Sequence, residues 1–324
     1  MRPKILVIAA IPKQGLAKLE QNCELIYPTE NFTFSDEEIK KYIPQVDGIL
    51  SVFVKPLTAG MLKEATRLRI IANFGVGYNN IDVAKATEMG VVVCNTPNAV
   101  TEPTAEMALG LLLSLTRNIA LNDRELRTKP NFKWGIMENL GTGLFDKTVG
   151  IIGMGRIGKA FARRAIASGM KVIYYNRTRL TDEIERTYNC KYVSFDKLLE
   201  KSDVISVHCP HTAETHHLLD EAAMKKMKKG AVLINTARGA VIDEKMLVKY
   251  LQNGKLGGAG LDVFEKEPII TPELFTMDNV VLTPHNATGT IETRIETSRE
   301  AAENLLRFFD GRKDISIVNP QVWQ

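Results

Sequence analysis

The most chemically suggestive residues lie between Thr148 and Lys159, where glycines at 153, 155 and 158 form a G-x-G-x-x-G turn directly after a strand-like run and directly before a helical pattern. Each glycine has a separate task in such a turn. Gly153 permits the tight reversal, Gly155 lets a pyrophosphate approach the backbone, and Gly158 allows the helix to pack close to the strand. Arg156 and Ile157 then open the helix, whose N-terminal amides face the anion. A dinucleotide is therefore expected here. The following strand ends at Asn176-Arg177-Thr178-Arg179, where a carboxylate would stand if the adenine ribose carried a free 2′-hydroxyl. Asn176 does not repel a phosphate, Arg177 and Arg179 can neutralise one, and Thr178 offers a hydroxyl, so NADP(H) is expected ahead of NAD(H).

Three further residues follow later strand-like runs. Arg238 stands in Asn235-Thr236-Ala237-Arg238-Gly239, Glu267 precedes Pro268, and His285 follows Thr283-Pro284. Hydride reduction of a carbonyl needs a proton donor beside the developing alkoxide, and an anionic substrate needs a cation. A carboxylate beside an imidazole favours the imidazolium, the form that donates. Taken singly, an arginine after a strand is usually a surface residue, and a glutamate before proline usually belongs to a turn. Their company with a dinucleotide turn changes that balance. His208, His211, His216 and His217 cluster around Cys209, but their spacing does not suit one ion, and no metal is expected.

At this point the chain resembles the D-isomer-specific 2-hydroxyacid dehydrogenase family over essentially its whole length. The resemblance is carried by Gly75-Val76-Gly77-Tyr78-Asn79-Asn80-Ile81-Asp82, the 153–158 turn, residues 235–239, Gly260-Leu261-Asp262-Val263-Phe264-Glu265 through Pro268, and Thr283-Pro284-His285. It implies that Arg238 binds the substrate carboxylate and polarises the 2-oxo group, with His285 as acid/base paired with Glu267. It implies that amides of Val76 and Gly77 hold the carboxylate and that Asp262 contacts the nicotinamide carboxamide. Thr104, Cys209, Pro210, Thr215, Thr236 and Ala237 join the expected cofactor contacts, with Arg238 and His285 at the shared end of the site. The strand end at 176–179 resembles that of NADP-using glyoxylate, hydroxypyruvate and 2-ketogluconate reductases. One departure stands beside the acid/base: Asn286-Ala287-Thr288 replaces the Ile, Gly or Ala, and Ser of many relatives. The loop carrying Val52, Phe53 and Val54 is expected to wall the substrate side chain, and its apolar character suits a compact acid. The competing readings are an NAD-linked phosphoglycerate or other D-2-hydroxyacid dehydrogenase, a formate dehydrogenase, against which Glu267 argues, and a dinucleotide-sensing corepressor.

The elements needed to place these residues follow from patterning. The chain has 324 residues, enough for two hydrophobic cores. Strand-like and helix-like runs alternate nearly throughout, which predicts an α/β protein of two doubly wound parallel sheets. Strands are expected at 4–9, 24–27, 48–52, 70–73 and 91–94, then at 148–152, 171–175, 204–208, 231–235, 259–263 and 280–283. The second array is thus expected to have six strands. A break with two prolines at 96–103 separates them, and an amphipathic helix from Ile291 to Phe309 is expected to return to the first array. The expected domains are a flavodoxin-like substrate domain, 1–100 completed by 290–324, with a Rossmann domain, 101–289, inserted into it.

A net charge of +4 from scattered lysines and arginines points away from nucleic acid, and no apolar run is long enough to suggest a membrane span. The apolar run after Met1-Arg2-Pro3-Lys4 is read as a first strand, not a leader. Four widely spaced cysteines, with no CxxC pair, suit a reducing cytoplasm. The apolar stretch after Glu102 and the connector around Trp134 suggest a homodimer.

Overall fold

A computed structural model describes residues 2–29 and 32–322. The chain divides into two compact units, one made of residues 1–100 and 288–324 and the other of residues 101–287.

The first unit holds β1 (Lys4–Val7), β2 (Glu24–Ile26), β3 (Gly48–Val52), β4 (Ile70–Phe74) and β5 (Val92–Cys94). All pair in parallel, in the order β2-β1-β3-β4-β5, which is the flavodoxin-like arrangement. Their near-continuous Ile, Leu and Val reflects burial on both faces. The helix Ile291–Phe309 packs along this sheet, placing Ala301, Ala302 and Leu305 in its core. A Cβ on Gly48, at the start of β3, would sit 3.3 Å from Leu305. Arg294 lies over the ring of Phe74, at the end of β4. The helix therefore runs antiparallel to the strands, with its N-terminus at their carboxyl ends.

The second unit holds β6 (Thr148–Ile152), β7 (Lys171–Tyr175), β8 (Cys190–Tyr192), β9 (Val204–Val207), β10 (Ala231–Asn235), β11 (Leu256–Leu261) and β12 (Val280–Leu282). Their order is β12-β11-β10-β9-β6-β7-β8, all parallel, a doubly wound sheet that reverses direction at β6 and β9. The sheet has seven strands where six were expected. The missed strand, β8, is a three-residue edge whose burial alternates too briefly to register as a periodic pattern. Strand β11 also begins three residues earlier than expected, because its opening glycines read as loop. They are there for packing: a Cβ on Gly258 would lie 2.6 Å from the Asn279 carbonyl, and one on Gly260 would lie 3.0 Å from Leu111. The helix Thr101–Thr116 thus lies against this end of the sheet. Among the described residues, no helix is long and apolar enough to cross a membrane.

Candidate active site

The glycine turn follows β6 directly, and its geometry separates the three glycines by function. Gly153 has φ +97°, and a Cβ there would sit 2.5 Å from the Cys209 amide nitrogen, so a side chain is excluded twice. A Cβ on Gly158 would lie 2.2 Å from the Gly153 carbonyl, which brings the helix Arg156–Ala167 down onto the strand end. Around Gly155 the space is open to 4 Å, and this residue caps the helix without any side-chain bond. The first amides of that helix therefore face an open cradle, which fits a pyrophosphate. The Thr236 hydroxyl, at the end of β10, is buried without a partner among the described residues, as is Nδ1 of His208 after β9. An orphaned buried donor and acceptor at neighbouring strand ends fit a ligand that completes them.

The loop after β7 is built differently from a simple phosphate clamp. Asn176 Oδ1 accepts from the Met154 amide at 2.6 Å and so ties this loop to the glycine turn. Arg179 grips Glu185 through Nε and Nη2, both at 2.8 Å, and also reaches Asp182 at 3.0 Å. Glu185 accepts from Tyr174 as well, and the Arg179 guanidinium holds its carboxyl down at about 2. Arg177 and Thr178 are exposed at the tip of the loop, and no carboxylate lies within ion-pair distance of Arg177 among the described residues. On the far side of the turn, Thr215 Oγ1 donates to the Pro210 carbonyl at 2.7 Å and closes the loop after β9. Burial pushes the neighbouring Cys209 thiol up to about 11. Thr104 is buried on the helix Thr101–Thr116.

Arg238, Glu267 and His285 come from the loops after β10, β11 and β12. His285 Nδ1 lies 2.7 Å from Glu267 Oε2, and the other Glu267 oxygen accepts from the Phe264 amide at 2.9 Å. Burial raises the Glu267 carboxyl, but these two bonds and the charges of His285 and Arg238 together hold it below the ordinary carboxylate range. With Glu267 ionised, Nδ1 is the donor and the imidazole presents Nε2 at its other edge. Arg238 is partly buried; burial lowers its pKa against the attraction of Glu267, and Nη1 donates to the Ala237 carbonyl at 2.6 Å. Asn235 fixes the turn beneath it, donating to the Arg238 carbonyl and accepting from the Ala237 amide, both at 3.0 Å.

His285 has φ +48°, uncommon for a residue with a side chain. Asp262, fully buried at the end of β11, explains how it stays there. The Asp262 carbonyl accepts from the His285 amide at 2.8 Å, and its carboxylate accepts from Thr283 Oγ1 and the amides of Asn286 and Ala287 at 2.6 to 3.0 Å. Three of a carboxylate's roughly four acceptor sites thus serve the loop itself. The side-chain oxygen of Asn286 is buried without a partner among the described residues. A second brace joins the preceding loops. Glu244 and Glu265 each accept from the other's amide, at 3.0 and 3.1 Å, and Glu265 also meets His217 Nε2 at 3.1 Å. Neither glutamate was singled out from sequence; only the position of Glu244, just after the capping Asp243, hinted at a structural use. The other histidines are paired locally, His211 with His216 at 3.1 Å and His208 with Ser206 at 2.8 Å.

In the first unit, Val52 ends β3 and Phe53 follows it, and Gly75 to Tyr78 follow β4. The carbonyls of this turn are tied back: Asn73 donates to those of Gly75 and Gly77, Asn95 to that of Val76, and the Thr96 amide to that of Gly75. Ser51 steadies Asn73 at 2.8 Å. No protein acceptor among the described residues meets the amides of Val76 and Gly77, leaving two adjacent donors as an anion nest.

Residues 109–287 match the family model for the NAD-binding domain of D-isomer specific 2-hydroxyacid dehydrogenases. A glyoxylate reductase of Korarchaeum cryptofilum is 42% identical over 99% of this chain and 97% of its own. A solved glyoxylate reductase from Paecilomyes thermophila superimposes with a TM-score of 0.89 at 35% identity, covering 99% of each chain. An NADPH-dependent glyoxylate/hydroxypyruvate reductase from Sinorhizobium meliloti, solved with NADP and malonate, gives 0.84 at 33% identity, covering 98% of this chain and 97% of that one.

Proposed function

Because the chain belongs to the D-isomer specific 2-hydroxyacid dehydrogenase family, we propose that it reduces glyoxylate, hydroxypyruvate or 2-ketogluconate to the corresponding hydroxy acid, the D-isomer where a stereocentre forms, with NADPH preferred. The observation that carries this reading is the 2.7 Å His285–Glu267 pair beside Arg238. A dinucleotide held on the 153–158 turn would supply hydride to the carbonyl carbon. As negative charge grows on the carbonyl oxygen, the His285 imidazolium gives up its Nε2 proton to it. Glu267 keeps the ring oriented and stabilises its charged form before transfer. Arg238 draws the 2-oxo oxygen and the substrate carboxylate, and the amides of Val76 and Gly77 are read as further donors to the carboxylate. In the reverse direction neutral His285 takes the alcohol proton.

The cofactor preference rests on Asn176, Arg177 and Thr178, with no carboxylate at the strand end to repel a 2′-phosphate. Gly153, Gly155 and Gly158 with Arg156 and Ile157 take the pyrophosphate. Thr104, Cys209, Pro210, Thr215, Thr236 and Ala237 line its path, with Asp262 toward the nicotinamide. The chain works in the cytoplasm as a homodimer; the strongly exposed Trp134, Ile136 and Met137, the isoleucine at 94%, suit a surface that a second copy covers. A steady-state panel of 2-oxo acids with each cofactor tests the assignment. Turnover of glyoxylate or hydroxypyruvate, faster with NADPH and abolished by His285→Ala with NADPH binding retained, is the expected result. Unchanged turnover in that variant would remove His285 from the mechanism.

A further inference from the structure

The geometry points to Arg294 as a substrate-selecting residue: its guanidinium supplies the positive charge behind the Val76–Gly77 nest and favours a carboxylate there. This rests on the 2-oxo acid reading and goes beyond it, since Arg238 was the one cation expected to hold the anion, together with the amides of Val76 and Gly77.

Four observations, all within the first unit, lead to it. Arg294 stands in the first turn of the helix Ile291–Phe309, the end that faces the carboxyl ends of the strands. Its guanidinium lies over the Phe74 ring at 5.7 Å, one residue before the turn that presents the two amides. The side chain is partly buried, and burial lowers its pKa. Yet no carboxylate oxygen comes within 4.0 Å of it among the described residues.

That combination is unusual, because a cation withdrawn from water ordinarily has a counter-charge. Glutamates further along the same helix are engaged elsewhere: Glu296 with Arg299, and Glu300 with the Asn98 and Ala99 amides. The ring beneath the guanidinium fixes its plane without neutralising it. Two amides, a helix N-terminus and an uncompensated cation then set one sign of potential at one strand edge. A carboxylate satisfies all three, whereas a neutral carbonyl compound satisfies only the amides.

The experiment compares the full-length parent chain with Arg294→Met and Arg294→Lys, measuring kcat and KM for glyoxylate, cofactor Kd by nicotinamide fluorescence, and Kd for oxamate with cofactor bound. The expected result for Arg294→Met is a KM and an oxamate Kd raised at least tenfold, kcat within threefold, and cofactor Kd unchanged. Arg294→Lys should recover part of the loss, and added salt should weaken oxamate less in Arg294→Met than in the parent. Unchanged KM and oxamate Kd in Arg294→Met would overturn the inference, as would equal losses in cofactor and oxamate binding. Should the methionine variant fail to fold, Arg294→Gln takes its place, and an oxamate Kd equal to the parent's, with the same salt dependence, would overturn the inference. If the parent turns over no 2-oxo acid yet binds oxamate in an Arg294-dependent way, the reductase reading fails and this one stands. Absence of oxamate binding by the parent would overturn it as well.

Discussion

Glu267 accepts from the imidazole on one oxygen and from the Phe264 amide on the other, so replacing it by Gln removes a charge while leaving much of the shape. The carboxyl sits below the ordinary range, and its brace on His285 is present above that range and is lost only as the pH falls through its lowered native value. Glu267→Gln should therefore lower kcat/KM for reduction by about 10²- to 10⁴-fold and remove from the rate profile the acid limb at which the Glu267 carboxyl takes up its proton. A pH–rate profile unchanged in shape would count against the pairing. At the cofactor end, Arg177 and Arg179 are expected to part company. Arg177→Ala should weaken NADPH by about 1.5–3 kcal/mol, the worth of a charge-assisted bond, and leave NADH nearly untouched. Arg179→Ala should loosen the loop held by Glu185 and weaken both cofactors alike, measured as paired Kd values. Arg238, Glu267 and His285 could be singled out as candidates because each follows a strand end beside a recognisable turn. Glu244 and Asn73 could not be, and neither could the bracing of the His285 loop by Asp262, because their partners lie on other loops and nothing local marks a side chain for distant backbone partners.

The glycine turn carries its own contrast between folding and binding. Gly153→Ala must fit a Cβ 2.5 Å from the Cys209 nitrogen at φ +97°, so it should destabilise the fold by about 1–3 kcal/mol and lower the melting temperature. Gly155→Ala meets nothing within 4 Å, so the apo melting temperature should hold while dinucleotide affinity falls. The opposite pattern would reverse the roles given to these two residues. Long, apolar strands such as β3, β4 and β6 announced themselves by composition. Short edges did not: β8 has three residues, one of them a lysine. The early glycines of β11 hid a strand because glycine is depleted in strands, and here a neighbouring helix and the Asn279 backbone leave no room for anything larger.

Across the molecule, one buried imidazole adds to the acid sensitivity that the lowered carboxyls of Glu185, Asp203 and Glu267 already confer. The His208 ring packs on Phe161 with Nδ1 shielded from water, and burial pushes its pKa down to about 3. The unfolded chain takes up that proton near pH 6.5, so this residue's contribution is complete above about 6.5 and is lost as the pH falls toward 3, by at most about 1.4 kcal/mol per unit. His208→Gln should flatten that part of the acid-unfolding curve; an unaltered slope would place the sensitivity elsewhere.

The first unit is built from residues 1–100 and 288–324, with residues 101–287 between them, and its core includes Ala301, Ala302 and Leu305. Birth order on the ribosome therefore runs against assembly order. The segment that emerges first finishes last, waiting about 10–40 s for its closing helix at ordinary elongation rates. Throughout that interval a parallel sheet rich in Ile and Val lacks the helix Ile291–Phe309 that packs along it, and the dinucleotide unit gains the last of its strands, β12, before that helix emerges. Nascent chains should accordingly gain cofactor-binding ability before they gain protease resistance in their first hundred residues, and chaperone dependence should concentrate there.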